Sequence, residues 1–372
     1  MIKKMVIPLL LGAFLTGSCQ QKKKKTLAAN QGSQELSYEL IVPDLHIPWG
    51  FQFLPGNSIL YTEKEGKLVH FINGKKTDIK GLPEIYVRGQ GGLLDLQLHP
   101  NYAQNGWLYF TYASPAGDKK GGHTALMRAR IKNNQLVDKQ LLYKAQPNST
   151  DGRHFGSRIE FDDQGYVYFS IGERGNRDVN PQDITRDGGK IYRLKDDGTI
   201  PDDNPFSNQS NAKKAIYTYG HRNPQGMKRN PVTQDIWIHE HGPMGGDEIN
   251  IIKPGKNYGW PKASFGKNYN GSQLTPYTTL PDIEPPIHYW DPSIAPSGMV
   301  FITSDKYGNW KGNLLVGSLK FQYLALCFLD GNSVVKEKKL LEGIGRVRSL
   351  EQGPDGYIYA GIEGLGIIKL QR

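Results

Sequence analysis

The 372-residue sequence has only two cysteines, no long apolar run and no extended pattern of an amphipathic helix. One cysteine, Cys19, falls in the N-terminal leader, so the folded part of the chain cannot form an internal disulfide bond. A multi-span membrane protein needs apolar segments of about 20 residues, and the sequence has none. The Gly-x-Ser-x-Gly motif of α/β-hydrolases is also missing. These absences exclude a disulfide-stabilised domain, a multi-span membrane protein and an α/β-hydrolase.

The formal net charge of +10 is concentrated at the N-terminus. Residues 1–30 hold six lysines and no acidic residue, so they supply six of the ten net charges. The remainder of the chain is only mildly basic, which is weak evidence for a nucleic-acid partner. We therefore expect no nucleic-acid binding.

The leader has the layout of a bacterial export signal. Two lysines precede a short apolar run, and small residues then lead to Cys19. A lone cysteine in this position resembles a lipoprotein processing site, at which the chain is cleaved and the sulfur lipidated. We predict a lipoprotein-type signal peptide over residues 1–19, with simple cleaved secretion as the alternative.

Residues 20–35 are rich in lysine and lack apolar periodicity. This composition predicts a flexible tether whose lysines contact anionic lipid headgroups. With a lipid anchor at Cys19, the protein is expected in the cell envelope, as a periplasm-facing or surface lipoprotein.

One unit recurs six times in the rest of the chain: an alternating strand, a turn, and a second strand that often contains tyrosine. The copies occupy residues 50–63, 93–113, 158–172, 225–240, 298–318 and 348–363. The second strands centre on Tyr61, Tyr109, Tyr168, Trp237, Leu315 and Tyr359. Such repeated hairpins are typical of a β-propeller. We predict an all-β, six-bladed propeller over residues 36–372, with a β-sandwich or a pair of barrels as the alternative.

An early strand, residues 36–43, precedes the first repeat. We expect it to pair with the last segment, residues 366–370, in one blade. This pairing closes the ring and leaves no open edge between the first and last repeats.

The ends of the hairpins predict where function lies. Residues just before the first strand and just after the second share one face of the propeller. Before the first strands stand Gln90, His154, Arg222, Asn223, Trp290 and Arg346. After the second strands stand Glu63, Glu173, Gly242, Pro243, Lys320 and Glu363. The opposite turns hold ordinary turn residues, so we predict a central ligand site on the first face.

Four basic residues at this face predict a ligand with several negative charges, because guanidinium and ammonium groups bind carboxylates. They are Arg222, Lys320, Arg346 and Arg348. His154 is the natural general base there, since the reference pKa of histidine is about 6.5.

Two patterns leave a metal site open. Residues 239–241, His-Glu-His, put two imidazoles on one face of a strand, but no third zinc ligand is evident. Residues 176–180 lack the glycine and terminal glutamate of an EF-hand, and a looser calcium loop stays open there. Cys327 falls within an apolar stretch and is expected to be a buried core thiol.

Several long segments carry a family resemblance. They are residues 89–103, 154–161, 189–206, 219–227, 241–262 and 294–298, and the resemblance as a whole covers nearly all of residues 40–370. They resemble the soluble glucose/aldose sugar dehydrogenases, six-bladed propellers that use pyrroloquinoline quinone (PQQ) and calcium. The resemblance implies PQQ- and calcium-dependent oxidation of the anomeric carbon of an aldose to a lactone, with electrons passed to an external acceptor.

The resemblance also implies a role for each residue at the functional face. His154 is the implied base that removes the proton of the anomeric hydroxyl, with Glu173 as its support. Arg222 is the implied cation beside the quinone oxygens. The implied cofactor-binding residues are Gln90, Arg222, Asn223, Gln225, Lys320, Arg346 and Arg348. The backbone carbonyls of Gly242 and Pro243 are the implied calcium ligands, and Trp290 and Gln90 the implied substrate contacts.

Two other functions remain compatible with the sequence. One is a non-catalytic extracellular binding propeller. The other is a calcium-dependent, lactonase-like hydrolase, which needs several carboxylates around the metal. The preferred sugar, the natural electron acceptor and the oligomeric state stay open.

Overall fold

The computed structural model describes residues 36–372, which form six four-stranded antiparallel sheets. The predicted signal peptide, lipid anchor and tether lie outside the described residues. Within residues 36–372, no helix combines the length and apolarity needed to cross a membrane.

Each sheet is one blade, and the innermost strands of adjacent blades contact one another. In blades 1 to 5 the innermost strand is the first along the chain, whereas in blade 6 it is Val347–Gln352 and the N-terminal strand Ser37–Pro43 lies at the outer edge. The strands of blades 1 to 3 are β2 (Pro48–Leu54), β3 (Ser58–Glu63), β4 (Lys67–Ile72), β5 (Lys75–Asp78), β6 (Leu93–Leu98), β7 (Leu108–Ser114), β8 (His123–Lys132), β9 (Gln135–Lys144), β10 (Ile159–Phe161), β11 (Val167–Ile171), β12 (Lys190–Leu194) and β13 (Ile216–Tyr219). The strands of blades 4 to 6 are β14 (Pro224–Arg229), β15 (Ile236–Glu240), β16 (Asp247–Ile251), β17 (His288–Trp290), β18 (Pro296–Phe301), β19 (Leu314–Ser318), β20 (Leu324–Asp330), β21 (Ser333–Leu340), β22 (Val347–Gln352), β23 (Ile358–Ile362), β24 (Gly366–Gln371) and β1 (Ser37–Pro43). Two short helices connect strands, α1 (Tyr102–Asn105) and a 3₁₀ helix (Asp305–Trp310).

Blade 6 is built from both ends of the described chain. Strand β1 pairs antiparallel with β24, so that Ser37 lies opposite Gln371 and Pro43 lies opposite Gly366. The predicted closure of the ring is therefore confirmed. The six-bladed fold is confirmed with it, and the sandwich and barrel alternatives are excluded.

The apolar core lies between neighbouring blades rather than inside one layer. One cluster joins Tyr109 and Leu126 of blade 2 to Phe169 and Tyr192 of blade 3, all fully buried. The six residues predicted to centre the second strands are all buried. Cys327 is a fully buried thiol in the cluster between blades 4 and 5, as predicted.

At the centre of the ring, the buried side chain of Arg158 joins all six blades. Arg158 itself precedes the innermost strand of blade 3 and stacks its guanidinium 4.0 Å from the Trp49 ring. The guanidinium lies 3.0 Å from Asp95 Oδ1 and 3.5 Å from Ser297 Oγ. It also donates to three carbonyl oxygens, those of Trp49 at 3.2 Å, Gln225 at 2.7 Å and Arg348 at 2.7 Å. These partners belong to blades 2, 5, 1, 4 and 6.

We expect Arg158→Met to lower the free energy of unfolding by about 3–5 kcal/mol, because it strands the Asp95 carboxylate in the interior without its partner. A urea titration measures this loss. The matched control is Lys311→Met, which removes a surface ion pair to Asp305 in which both side chains are at least half exposed. That control should change stability by no more than about 0.5 kcal/mol. Equal stability of the two variants would contradict a structural role for Arg158.

Candidate active site

A buried histidine–glutamate pair lies at the predicted functional face. His154 precedes the innermost strand of blade 3, and Glu173 follows the second strand of that blade. His154 Nδ1 hydrogen-bonds Glu173 Oε1, and the two residues are 8% and 2% exposed. His154 has a φ of 54°, a left-handed conformation that is uncommon outside glycine and occurs at functional sites.

Three of the predicted amide residues hold the turn that carries His154. Gln90 Oε1 accepts a hydrogen bond from the His154 backbone N–H at 2.7 Å. Asn223 Oδ1 accepts from the Gly156 N–H at 3.1 Å, and Gln225 Nε2 donates to the Gly156 carbonyl at 3.1 Å. The strained backbone is thus fixed from blades 2 and 4, which presets the direction of the imidazole.

The environment of His154 keeps its imidazole neutral. Burial lowers its pKa below the usual 6.5, the hydrogen bond to Glu173 opposes this, and the nearby charge of Arg222 lowers it further. Because a carboxylate only accepts hydrogen bonds, Nδ1 carries the proton and Nε2 is left as the basic nitrogen. The pair is therefore suited to accept a proton at Nε2.

A second histidine–glutamate pair with the same 19-residue separation lies in the next repeat. His221 Nδ1 bonds Glu240 Oε1 at 2.8 Å. His221 is fully buried, and its Nε2 lies 2.8 Å from Thr218 Oγ1. Both ring nitrogens are engaged, so this copy is structural and only His154 has a nitrogen left for chemistry.

Arg222 connects these two pairs. Its carbonyl accepts from the Glu173 N–H at 2.9 Å, and its own N–H donates to Glu240 Oε2 at 2.6 Å. Its guanidinium donates to the His241 carbonyl at 3.1 Å and packs 5.3 Å from the Trp260 ring centre. The cation predicted next to the base is thus close enough to lower the pKa of His154.

The remaining predicted cations meet at the connections of blades 5 and 6. Arg346 Nη1 donates to the carbonyl of Leu319, the residue before the exposed Lys320, at 3.1 Å. The Glu363 carboxylate pairs with Arg346 at 2.6 Å and with Arg348 at 2.9 Å. The sequence placed Glu363 at this face but did not predict that it partly neutralises two of the four cations.

The turn proposed for calcium is held by the carboxylate of Asp247. Its Oδ1 accepts from the Gly242 N–H at 2.7 Å and from Ser293 Oγ at 2.8 Å, and its Oδ2 accepts from the Ala295 N–H at 2.8 Å. A Cβ atom on Gly242 would lie 2.3 Å from the Gly245 carbonyl oxygen, so only glycine fits. Within the described residues, the carbonyl oxygens of Gly242 and Pro243 accept no hydrogen bond. Two hard oxygen donors of the kind calcium prefers are thus left for a ligand.

The structure gives no support to zinc at residues 239–241. His239 is fully buried and faces the Gly298 carbonyl, whereas His241 Nε2 bonds the Pro296 carbonyl at 2.8 Å. In the part of the chain that the structure describes, no three His, Cys, Asp or Glu side chains converge on a metal position.

A lysine ammonium fills the loop that left a calcium site open at residues 176–180. Lys190 is fully buried, and its Nζ donates to the carbonyls of Asn180, Gly188 and Pro181 at 2.5, 2.8 and 3.2 Å. Burial lowers the pKa of Lys190 to about 7. Asn180 Nδ2 also donates to the Glu173 carbonyl at 3.0 Å, so the loop supports the His154–Glu173 pair. The lysine therefore takes the place of a metal ion, and the calcium alternative has no support here.

The structure does not bring Trp290 to this group of residues. Its side chain is 6% exposed and packs in the cluster between blades 4 and 5. Its indole N–H donates to Glu337 of strand β21 at 2.6 Å. The ring fills space between outer strands, so it is not available to a sugar at the central site.

Comparison with known proteins identifies the family. Residues 45–368 match the model of the glucose/sorbosone dehydrogenases. The chain belongs to this family. It is 40% identical over 332 residues to the aldose sugar dehydrogenase YliI of Escherichia coli, a match that covers 87% of this chain and 89% of that relative.

Solved structures of relatives share the fold. The apo-form of the soluble aldose sugar dehydrogenase from Escherichia coli has a TM-score of 0.87 at 37% identity, covering 90% of this chain and 99% of that one. The PQQ-bound form of aldose sugar dehydrogenase from Streptomyces coelicolor has a TM-score of 0.74 at 26% identity, covering 91% and 98%. The predicted family resemblance is confirmed.

Removing the Lys190 ammonium should destabilise the protein, because three buried carbonyls lose their donor. We expect Lys190→Met to lower the free energy of unfolding by about 3 kcal/mol or more. Lys195→Met is the control, since Lys195 lies exposed shortly after the same strand, and it should remain within about 0.5 kcal/mol of the parent. Chemical denaturation compares the two, and a Lys190 variant as stable as the control contradicts the assignment.

Proposed function

We propose that the protein is a PQQ- and calcium-dependent aldose sugar dehydrogenase. It oxidises the anomeric carbon of an aldose to a lactone and passes the electrons to an external acceptor. The observation that carries the proposal is the buried His154–Glu173 pair beside Arg222, at the face where the other cations meet. Membership of the family and the names of its relatives support the same activity.

The residues present fit PQQ. Asn223 Nδ2 is buried and has no hydrogen-bond partner within residues 36–372, so it has a donor to offer. Lys320, Arg346 and Arg348 would hold the carboxylates of the cofactor, with Gln225 and Asn223 beside them. Three cations against the single carboxylate of Glu363 leave positive charge for an anionic ligand.

Calcium fits the carbonyl oxygens of Gly242 and Pro243, and the rest of its coordination would come from the cofactor and water. When bound together, the metal and PQQ supply a polarised quinone that accepts a hydride. The chain's own part is to hold these donors in place through Asp247.

Proton removal falls to His154. Its Nε2 would take the proton of the anomeric hydroxyl, and bound PQQ would supply the hydride acceptor that conversion of the sugar to a lactone needs. Glu173 stabilises the imidazolium that forms. The second oxygen of Glu173 is buried without a partner among the described residues, so the hydrogen bond to His154 is the one side-chain hydrogen bond of this carboxylate within residues 36–372. Arg222 stabilises the negative charge that develops next to the base.

We also propose that the protein is exported and anchored by lipid at Cys19, with residues 20–35 as tether. The pattern of the leader supports this placement. Mass spectrometry of the mature N-terminus tests it, and an unprocessed Met1 or an unmodified Cys19 would contradict it.

The activity is tested with purified protein given calcium and PQQ, by dye reduction with a panel of aldoses. Sugar-dependent reduction that requires both additions supports the proposal. No turnover, together with no PQQ binding by calorimetry, would favour a non-catalytic binding propeller.

His154→Ala should lower kcat by about 10²–10⁴-fold, because the proton then has no positioned acceptor. Affinity for PQQ, measured by fluorescence titration, should stay within about twofold, since a cofactor contact is not removed. The control is His46→Ala, an exposed histidine on blade 1 whose side chain is 73% exposed. Unchanged turnover of the His154 variant would show that His154 is not the general base.

The lowered pKa of His154 predicts the acid limb of the pH profile. The imidazole acts as base only when neutral, so the midpoint of the acid limb of kcat/KM should lie below pH 6.5. Glu173→Gln removes the charge that stabilises the imidazolium, which shifts the limb to lower pH and lowers the plateau by about tenfold or more. Initial rates across the pH range measure both effects. If the acid limb of the parent has its midpoint at or above pH 6.5, the base is not an imidazole with a lowered pKa.

A further inference from the structure

An exposed tyrosine stands at the edge of the site on the long connection between β16 and β17. Tyr269 is 74% exposed, and neither the repeat pattern nor the family resemblance assigned it a role. Connections carried by a rigid scaffold commonly hold binding residues, and the exposed ring of Tyr269 has surface that a ligand can cover.

The hydroxyl of Tyr269 lies beside the guanidinium of Arg222. Its oxygen is 3.4 Å from Arg222 Nη2. The pKa of Arg153, the residue before the base, is raised chiefly by its hydrogen bond to Asp151, with a smaller electrostatic contribution from Tyr269. Tyr269 is thus close to Arg222 and Arg153, the two arginines near His154.

The backbone that carries Tyr269 is fixed. The preceding residue, Asn268, accepts a hydrogen bond from Arg177 of the blade 3 loop at 3.2 Å and donates to Ser272 at 3.1 Å. Lys267 pairs with Met244 through two backbone hydrogen bonds of 3.0 and 3.2 Å. The backbone position of Tyr269 is therefore set before a ligand arrives, so little backbone entropy is lost when the side chain is contacted.

The chemistry of a tyrosine in this position fits a sugar. A pyranose has hydroxyls at its rim and C–H groups on its faces, and tyrosine offers an apolar ring with a polar tip. Here the polar tip is at Arg222, and the neighbouring Met244 is also 48% exposed. The cations assigned to the cofactor carboxylates belong to blades 5 and 6, whereas Tyr269 and its partners belong to blades 3 and 4 and their connection.

We propose that Tyr269 is a substrate-contacting residue whose exposed ring packs against the C–H face of the aldopyranose held over His154. It sets the affinity for the sugar and leaves the affinity for the cofactor unchanged. This inference rests on the proposed function, because it places the sugar of that function against the ring of Tyr269.

The test compares Tyr269→Ala, which removes the ring, with Tyr269→Phe, which removes only the hydroxyl. Calorimetry with D-glucose measures the sugar affinity of the calcium-loaded protein, once with PQQ and once without it. Fluorescence titration measures the PQQ affinity. Tyr277→Ala is the matched control, since Tyr277 is 52% exposed on the same connection.

We expect Tyr269→Ala to weaken glucose binding about tenfold, a loss in the range of one aromatic contact with the area it buries. KM should rise in parallel, with kcat and PQQ affinity within about twofold of the parent, because uniform binding is what is removed. Tyr269→Phe and Tyr277→Ala should retain most of the sugar affinity.

Unchanged glucose affinity in Tyr269→Ala overturns the inference. A loss of PQQ affinity with sugar binding retained also overturns it, since Tyr269 would then be a wall of the cofactor site. Absence of glucose binding to the parent overturns this inference, whereas the proposed function is decided separately by dye reduction with the panel of aldoses. If the parent binds glucose but reduces no dye, the proposed oxidation fails alone, and the calorimetry still decides the role of Tyr269.

Discussion

The structure depends on one buried guanidinium at the centre of the ring. A propeller has no single layer of core to hold its blades, because each apolar cluster joins only neighbours. Arg158 contacts every blade, and two of its acceptors are the carbonyls of Gln225 and Arg348, which also belong to the site. Since Arg158 follows His154 by only four residues, the contact that holds the blades together also positions the turn that carries the base.

Two copies of the repeat differ in how their histidines are bonded. His154 and His221 occupy equivalent places before the first strands of blades 3 and 4, and each bonds a glutamate 19 residues later. In blade 4 the second ring nitrogen is used by Thr218, and the imidazole is enclosed completely. In blade 3 the left-handed turn at His154 brings the ring to the face instead. The two copies of one motif therefore differ in backbone conformation, in the bonding of the second ring nitrogen and in burial.

Charge compensation shapes the rest of the site. Glu363 lies between Arg346 and Arg348, so the guanidiniums repel each other less before any ligand binds. Lys190 likewise places an ammonium among three carbonyls, where the loop would otherwise need a bound cation. Both arrangements satisfy these charged and polar groups within the protein, without a bound ligand.

The sequence by itself determined the six hairpins, the closing strand and the face that carries His154, Glu173 and Arg222. Alternation and turn residues are local properties, and hairpin direction follows from them. Only the tertiary structure decided that Trp290 turns inward between blades, that Glu363 is shared by two arginines, and that Tyr269 reaches the site. These outcomes depend on side chains from separate blades and on an irregular connection without periodicity. Spacing along the chain carries no information about such contacts, because they arise only when the ring closes.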